Sequence, residues 1–267
     1  MTHKDIKKVV AGGCQRYIAT GLMALLCITM LAQTNECDSM TTIPTREISS
    51  ETFRPQQLII PVSLIAAGSF GISNNWFCNA KQNLKDDFND WRGDNRFKAD
   101  EYLQYLPVAS NIGLEYVGVK ARHPLRERLA ATATASVVMA VSVNIAKYSV
   151  REKRPDSDSR NSFPSGHTAT AFMGAELVRE EYGNAYGAGA YAVATGVAFL
   201  RLYNNRHWLN DVVGGAGIGI LSARIGYWLL PYERRLFGWD SEKAQLVAMP
   251  YYDNYDKSAG ATLYVSF

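Results

Sequence analysis

The chain has 267 residues, enough for one domain with a sizeable core or for a compact bundle of membrane helices. Its formal net charge of +3 is too small to argue for a nucleic-acid partner, so interest falls on where the basic residues sit. Hydrophobic residues make up 47%, and the mean hydropathy of −0.14 is low for a protein living wholly in lipid.

The N-terminus carries His3, Lys4, Lys7, Lys8 and Arg16, followed by the uncharged apolar stretch 18–31. A small residue, Ala32, stands at a plausible cleavage point, so residues 1–33 are expected to be a signal peptide or an uncleaved N-terminal anchor. Either one sends the chain to the membrane. Cys14 and Cys27 fall inside this segment, and the remaining pair, Cys37 and Cys78, shows no metal-ligand spacing. Residues 34–57, polar and threonine-rich with Pro44 and Pro55, read as an irregular exported segment.

Residues 58–72 form an uncharged apolar run, long for a strand and short for a spanning helix. Residues 74–101 are charged and aromatic and read as a solvated face or an interfacial helix. Asp86, Asp87, Asp90 and Asp94 lie among lysines and arginines and lack a cation-loop spacing, so no metal site is expected there. Trp76, Trp91, Trp208 and Trp228 read as helix anchors at an interface. The run 105–119 is broken by Pro107, Asn111 and Glu115, and a basic block follows with Lys120, Arg122, His123, Arg126 and Arg128.

The C-terminal half is more regular. Residues 129–146 carry no charge, 169–177 begin another helix, 185–200 are rich in glycine and alanine, and 212–230 are apolar apart from Arg224. So many small residues suit closely packed helices, in lipid or in a soluble bundle. The expected fold class is an all-α bundle, with domain limits at 58–236 and a tail at 237–267. In that tail, residues 244–267 alternate apolar and polar and predict a short β-hairpin.

Three clusters of polar residues stand at the edges of these apolar helices. Lys147 and Arg154-Pro155 follow one helix; Pro164-Ser165-Gly166-His167 precede the next; Arg201, His207 and Asp211 lead into the last. Phosphoryl transfer spreads charge over three equatorial oxygens and requires an in-line nucleophile and a proton for the leaving group. Lys147, Arg154 and Arg201 supply three cations, two of them guanidinium forks. Ser165 and Gly166, where a helix begins, can turn backbone N–H groups toward an anion. His207 and Asp211 are four apart, one face of a helix, so Asp211 can hold one ring nitrogen and leave the other as a nucleophile. His167 is placed to act as general acid, in the opposite protonation state, which predicts a bell-shaped pH dependence. Tyr203, Asn204 and Asn205 could line the leaving-group site.

In this order the three clusters resemble the signature motifs of the PAP2 (phosphatidic acid phosphatase type 2) superfamily, over roughly residues 129–230. The resemblance implies a PAP2-type helical bundle with several transmembrane helices. It also implies that Lys147, Arg154 and Arg201 bind phosphate with help from Ser165 and Gly166. His207 would become phosphorylated, Asp211 would orient it and His167 would be the acid, without metal or other cofactor. One departure is Leu200, where the third motif usually has serine before its arginine.

Two architectures follow. In the first, the helices span a bacterial inner membrane with the basic block cytoplasmic and the motifs facing the periplasm. This requires that 105–119 not cross fully. In the second, a soluble periplasmic phosphatase could hold a Cys37–Cys78 disulfide. The expected partners are the bilayer and a phosphorylated lipid: lipid A, undecaprenyl pyrophosphate, phosphatidate or phosphatidylglycerol phosphate. Alternatives are a non-specific acid phosphatase, a vanadium haloperoxidase holding vanadate with the same residues, or a non-catalytic scaffold. The oligomeric state is not set by the sequence.

Overall fold

A glycine-rich helix, α8 (Leu209–Leu236), forms the centre around which the other helices pack. The computed structural model describes residues 53–93, 95–239, 245–253 and 258–266; residues 1–33, expected to be a signal peptide or anchor, and most of 34–57 fall outside them. Before α8 come α1 (Ile59–Ser73), α2 (Asn75–Arg92), the single turn α3 (Asp100–Leu103), α4 (Leu106–Gly113), α5 (Leu125–Val150), α6 (Gly166–Tyr182) and α7 (Asn184–Tyr203). A 3-10 turn at Pro55–Leu58 runs directly into α1. The described residues up to Leu230 form one compact unit and those from Pro231 a second.

The core lies between α6, α7 and α8, where Phe172, Ala175, Tyr191, Ala194, Val197, Val212, Ala216 and Ile220 are buried together with Leu64 of α1. Small side chains let the helix axes approach. A Cβ on Gly219 would lie 2.3 Å from the Ala169 carbonyl oxygen, and one on Gly215 would lie 2.5 Å from that of Ser165. Helices α6 and α7 are joined by Gly183 alone, whose φ of +83° is costly for other residues.

Among the described residues, three helical stretches are long and apolar enough to cross a membrane: Pro55–Ser73, Leu125–Val150 and Leu209–Leu236. The third is mostly enclosed by protein, whereas the first two turn apolar faces outward. On α5, Val137, Val141, Ile145 and Tyr148 form an exposed stripe at helical spacing. Such a contiguous apolar face suits lipid. The run 105–119 contains the eight-residue α4, about 12 Å long, far short of the roughly 30 Å hydrocarbon layer. Residues 58–72, short on sequence alone, gain a turn from Pro55–Leu58 and reach spanning length.

Polar groups concentrate at two levels of the bundle. Away from the motifs, Arg128 is fully buried and donates from Nη1 to the Asn111 carbonyl at 2.7 Å and from Nη2 to Glu115. It is therefore a bundle bond rather than one more surface charge of the basic block. Further along, Glu176 of α6 accepts from Arg224 Nε at 2.6 Å, from Arg179 Nε at 2.8 Å and from the Tyr191 hydroxyl at 2.6 Å. In the second unit, β1 (Gln245–Asp253) and β2 (Ser258–Ser266) pair antiparallel, the hairpin the alternation predicts.

Candidate active site

The helix-borne motif residues stand at helix ends, the C-terminal ends of α5 and α7 and the N-terminal ends of α6 and α8. Lys147 is in the last turn of α5, Ser165 caps α6, Arg201 is in the last turn of α7 and Asp211 is in the first turn of α8. The loop 151–165 closes this end, beginning at Arg151, which ends α5 in the left-handed region at φ 53°.

Asp211 is the hub. Its Oδ2 lies 3.3 Å from His207 Nδ1, accepts the Trp208 backbone N–H at 2.8 Å and accepts the Ser162 hydroxyl. Its Oδ1 accepts Asn210 Nδ2 at 3.2 Å. His207 itself precedes α8, which starts at Leu209, so the pairing does not run along a helix face as the spacing suggests. Asp211 instead reaches back over the helix start, holding the N–H just before the first turn as an N3 carboxylate does in a capping box. With Nδ1 committed, Nε2 is left for chemistry.

The cations surround this pair. His207 lies in the fields of Arg201, Arg154 and Lys147, while Lys147 in turn interacts with Arg154, Asp211 and Arg201. Lys147 Nζ donates to the Asn161 carbonyl at 3.0 Å, and Arg154 Nε to the Asn161 side-chain oxygen at 2.8 Å. One loop residue thus holds two of the three cations. Arg201 Nη1 donates to Asp100 Oδ2 at 2.6 Å, and its Nε is buried without a hydrogen-bond partner.

Ser165 caps α6 by accepting the Thr168 N–H at 3.4 Å, but its own N–H donates to the Asp211 carbonyl at 3.0 Å. That N–H is therefore occupied, contrary to the expectation that it points at an anion. Beside it, a Cβ added to Gly166 would meet no atom within 4 Å, so that side of the helix start is open. His167 is half-buried and feels Arg201, Asp100, His207 and Arg154. Burial, reinforced by Arg201, holds its pKa down at about 4. Burial, with the same cations, keeps His207 well below the ordinary histidine value. Both rings are neutral at neutral pH in this site, not in the opposite states that the chemistry alone suggests.

Several contributors come from segments with no motif. Asp100 stands in the charged stretch 74–101, and Asn204 clasps that stretch, donating to Asp100 at 3.1 Å and to the Phe97 carbonyl at 2.8 Å. Asn204 is thus spent on positioning rather than on a leaving-group pocket. Glu152 accepts Lys81 Nζ at 2.6 Å and Asn210 Nδ2 at 2.8 Å, and burial, with Asp211 nearby, raises its pKa to about 7. Trp208 is buried, donates Nε1 to the Lys153 carbonyl at 2.7 Å and faces a cleft rather than an interface.

The helical bundle thus brings two histidines, one of them held by a carboxylate, and three cations together at one end. Residues 128–235 match the family model described as PAP2 superfamily. The chain is also 40% identical over 136 residues to a lipid A 1-phosphatase of Porphyromonas gingivalis. That match covers 49% of this chain but 31% of the relative, so the chain spans about a third of that protein's length. Two solved structures are similar at lower levels. One is LpxE of Aquifex aeolicus, 22% identical with a TM-score of 0.41, covering 53% of this chain and 92% of that one. The other is a transmembrane PAP2-type phosphatidylglycerolphosphate phosphatase from Bacillus subtilis, 19% identical with a TM-score of 0.44, covering 70% and 99%.

Proposed function

We propose that the protein is a membrane phosphatase that hydrolyses a phosphate ester or pyrophosphate of a lipid through a phosphohistidine. The observation that carries this is the His207–Asp211 pair, 3.3 Å apart, within the fields of Lys147, Arg154 and Arg201. In this mechanism the three cations hold the phosphate oxygens and neutralise charge in the transition state. His207 Nε2 forms a bond to phosphorus as the bond to the leaving oxygen breaks, and His167 supplies the proton that oxygen needs. Water then attacks the phosphohistidine, His167 takes its proton, and phosphate departs. Because His167 is unprotonated in the empty site, its proton arrives with the substrate, whose negative charge offsets Arg201.

The outward apolar faces of α1 and α5 support a bilayer setting. In the proposed orientation the basic block before α5 is cytoplasmic and the catalytic end, some 39 Å away along that helix, is periplasmic. Identity to a protein named for lipid A favours a lipid A-type headgroup over the other lipids.

The test is phosphate release by detergent-purified protein from phosphorylated lipids and from a small soluble ester, with EDTA and beside His207→Ala. EDTA-resistant release that is lost in the variant is expected, with an acid-labile phosphoenzyme. Release abolished by EDTA or surviving the substitution overturns the proposal.

A further inference from the structure

Next to the catalytic end, but not lined by His167, His207, Lys147 or Arg201, lies a cleft of about 520 Å³. Its volume is in the range of small-molecule sites. One wall is α2, which presents Lys81 and Lys85; the opposite wall is the loop bearing Glu152, Lys153, Arg154 and Asp158, and Trp208 stands between them. The lining holds four basic and two acidic side chains. Lys81 is matched by Glu152 at 2.6 Å and Lys153 by the exposed Asp158 at 2.6 Å. That leaves the cleft a net positive charge centred on Lys85 and Arg154.

Lys85 makes no ion pair among the described residues. Its Nζ sits 5.6 Å from the Trp208 ring centroid, half-buried, and Lys81 Nζ lies 5.2 Å from the same ring. Two ammonium groups over one indole repel each other, and only Lys81 has a carboxylate to offset this. Stability does not require a second cation there, whereas an anion in the cleft, which Arg154 also lines, would offset the charge of Lys85. The indole partly desolvates and aims the ammonium group, which strengthens any bond to an anion. Trp208 directly follows His207 and Arg154 belongs to both regions, so a group in the cleft is adjacent to the phosphate under attack.

We propose that this cleft binds a second phosphate of the substrate, so that the preferred headgroup carries two phosphates. This rests on the function proposed above and narrows it: monophosphate lipids such as phosphatidate are disfavoured. The second phosphate is the distal group of a diphosphate or a separate phosphate elsewhere on the headgroup.

Calorimetric titration of the detergent-purified protein with methylphosphonate, methylenediphosphonate and a hexamethylene bisphosphonate tests it. One of the bisphosphonates is expected to bind about tenfold more tightly than methylphosphonate. Preference for the methylene spacer identifies a diphosphate, and preference for the long spacer identifies separate phosphates. The advantage should collapse in Lys85→Gln and persist in Lys85→Arg. Equal affinities in the wild-type protein, no binding at all, or an advantage unchanged in Lys85→Gln overturns the proposal. Binding is read without turnover, so failure here is distinct from failure of the phosphohistidine mechanism, which the His207→Ala assay reports.

Discussion

Arg201 and Asp100, 101 positions apart in the chain, form an ion pair at 2.6 Å with both side chains almost fully buried. The pair leaves Arg201 Nε without a partner while fixing the rest of the guanidinium, so one edge is anchored and one donor is spare. Asp100→Ala strands a buried cation, and breaking such a pair costs about 3–5 kcal/mol. The expected outcome is a lower melting temperature together with a raised KM for phosphate esters. Asp100→Asn, which can still accept a hydrogen bond, should lose less of both.

Asp211 gathers His207, Trp208 N–H and the Ser162 hydroxyl on one oxygen. An amide at that position either turns an NH₂ toward these donors or loses part of its grip on the ring. Asp211→Asn should lower kcat on the order of 10²- to 10⁴-fold with little change in KM, as when a histidine base loses its orienting carboxylate. Ser162→Ala removes one donor of three and should cost about tenfold or less. Steady-state kinetics of the two variants side by side check the ranking.

What the sequence makes legible follows from range. Residues 129–146 and 212–230 announce α5 and α8 because an uncharged run has few alternatives, and the alternation after residue 244 announces the hairpin. Lys147, Arg154, His167, Arg201, His207 and Asp211 stand out by residue type and spacing at helix ends. Asp100, Asn161, Ser162, Glu152 and Lys81 do not, because each acts through a partner far away or in an irregular loop, where no period marks it. Asp100 is one acid among many in its stretch, and nothing local distinguishes it from a solvated one. The i,i+4 spacing of His207 and Asp211 gives the correct pair with the wrong geometry, since the helix begins only after the histidine.

With His167 held at about 4 and His207 lower than its ordinary value, the proposed mechanism starts from a site ready as nucleophile and unloaded as acid. A phosphate ester loses its second proton near pH 6. The proton required by the leaving group then arrives with the monoanion, so kcat/KM should fall as pH rises above about 6. On the acid side it should hold down to about 4, the His167 value, rather than breaking near 6.5. The linkage has a defined sign: an unfolded chain with an ordinary histidine binds more protons between 6.5 and 4, so stability is lost as pH falls through that window. The melting temperature of wild type should fall relative to that of His167→Gln as pH drops from 7 to 4.

Gly219 tests whether the catalytic end depends on close helix approach. A methyl group there would stand 2.3 Å from the Ala169 carbonyl oxygen and 2.9 Å from the Met173 nitrogen, both backbone atoms that cannot rotate away. The helices must separate, which withdraws the Ser165 N–H, one turn before Ala169, from the Asp211 carbonyl, about two turns before Gly219. Overpacking of this kind costs about 1–3 kcal/mol, and the loosened end should lose activity out of proportion to stability. Gly189, whose added Cβ would meet nothing within 4 Å, is the control: Gly189→Ala should gain a few tenths of a kcal/mol from helix propensity. Melting and turnover measured for Gly219→Ala and Gly189→Ala separate the two cases, and equal behaviour would show that the small-residue face of α8 does not set the site.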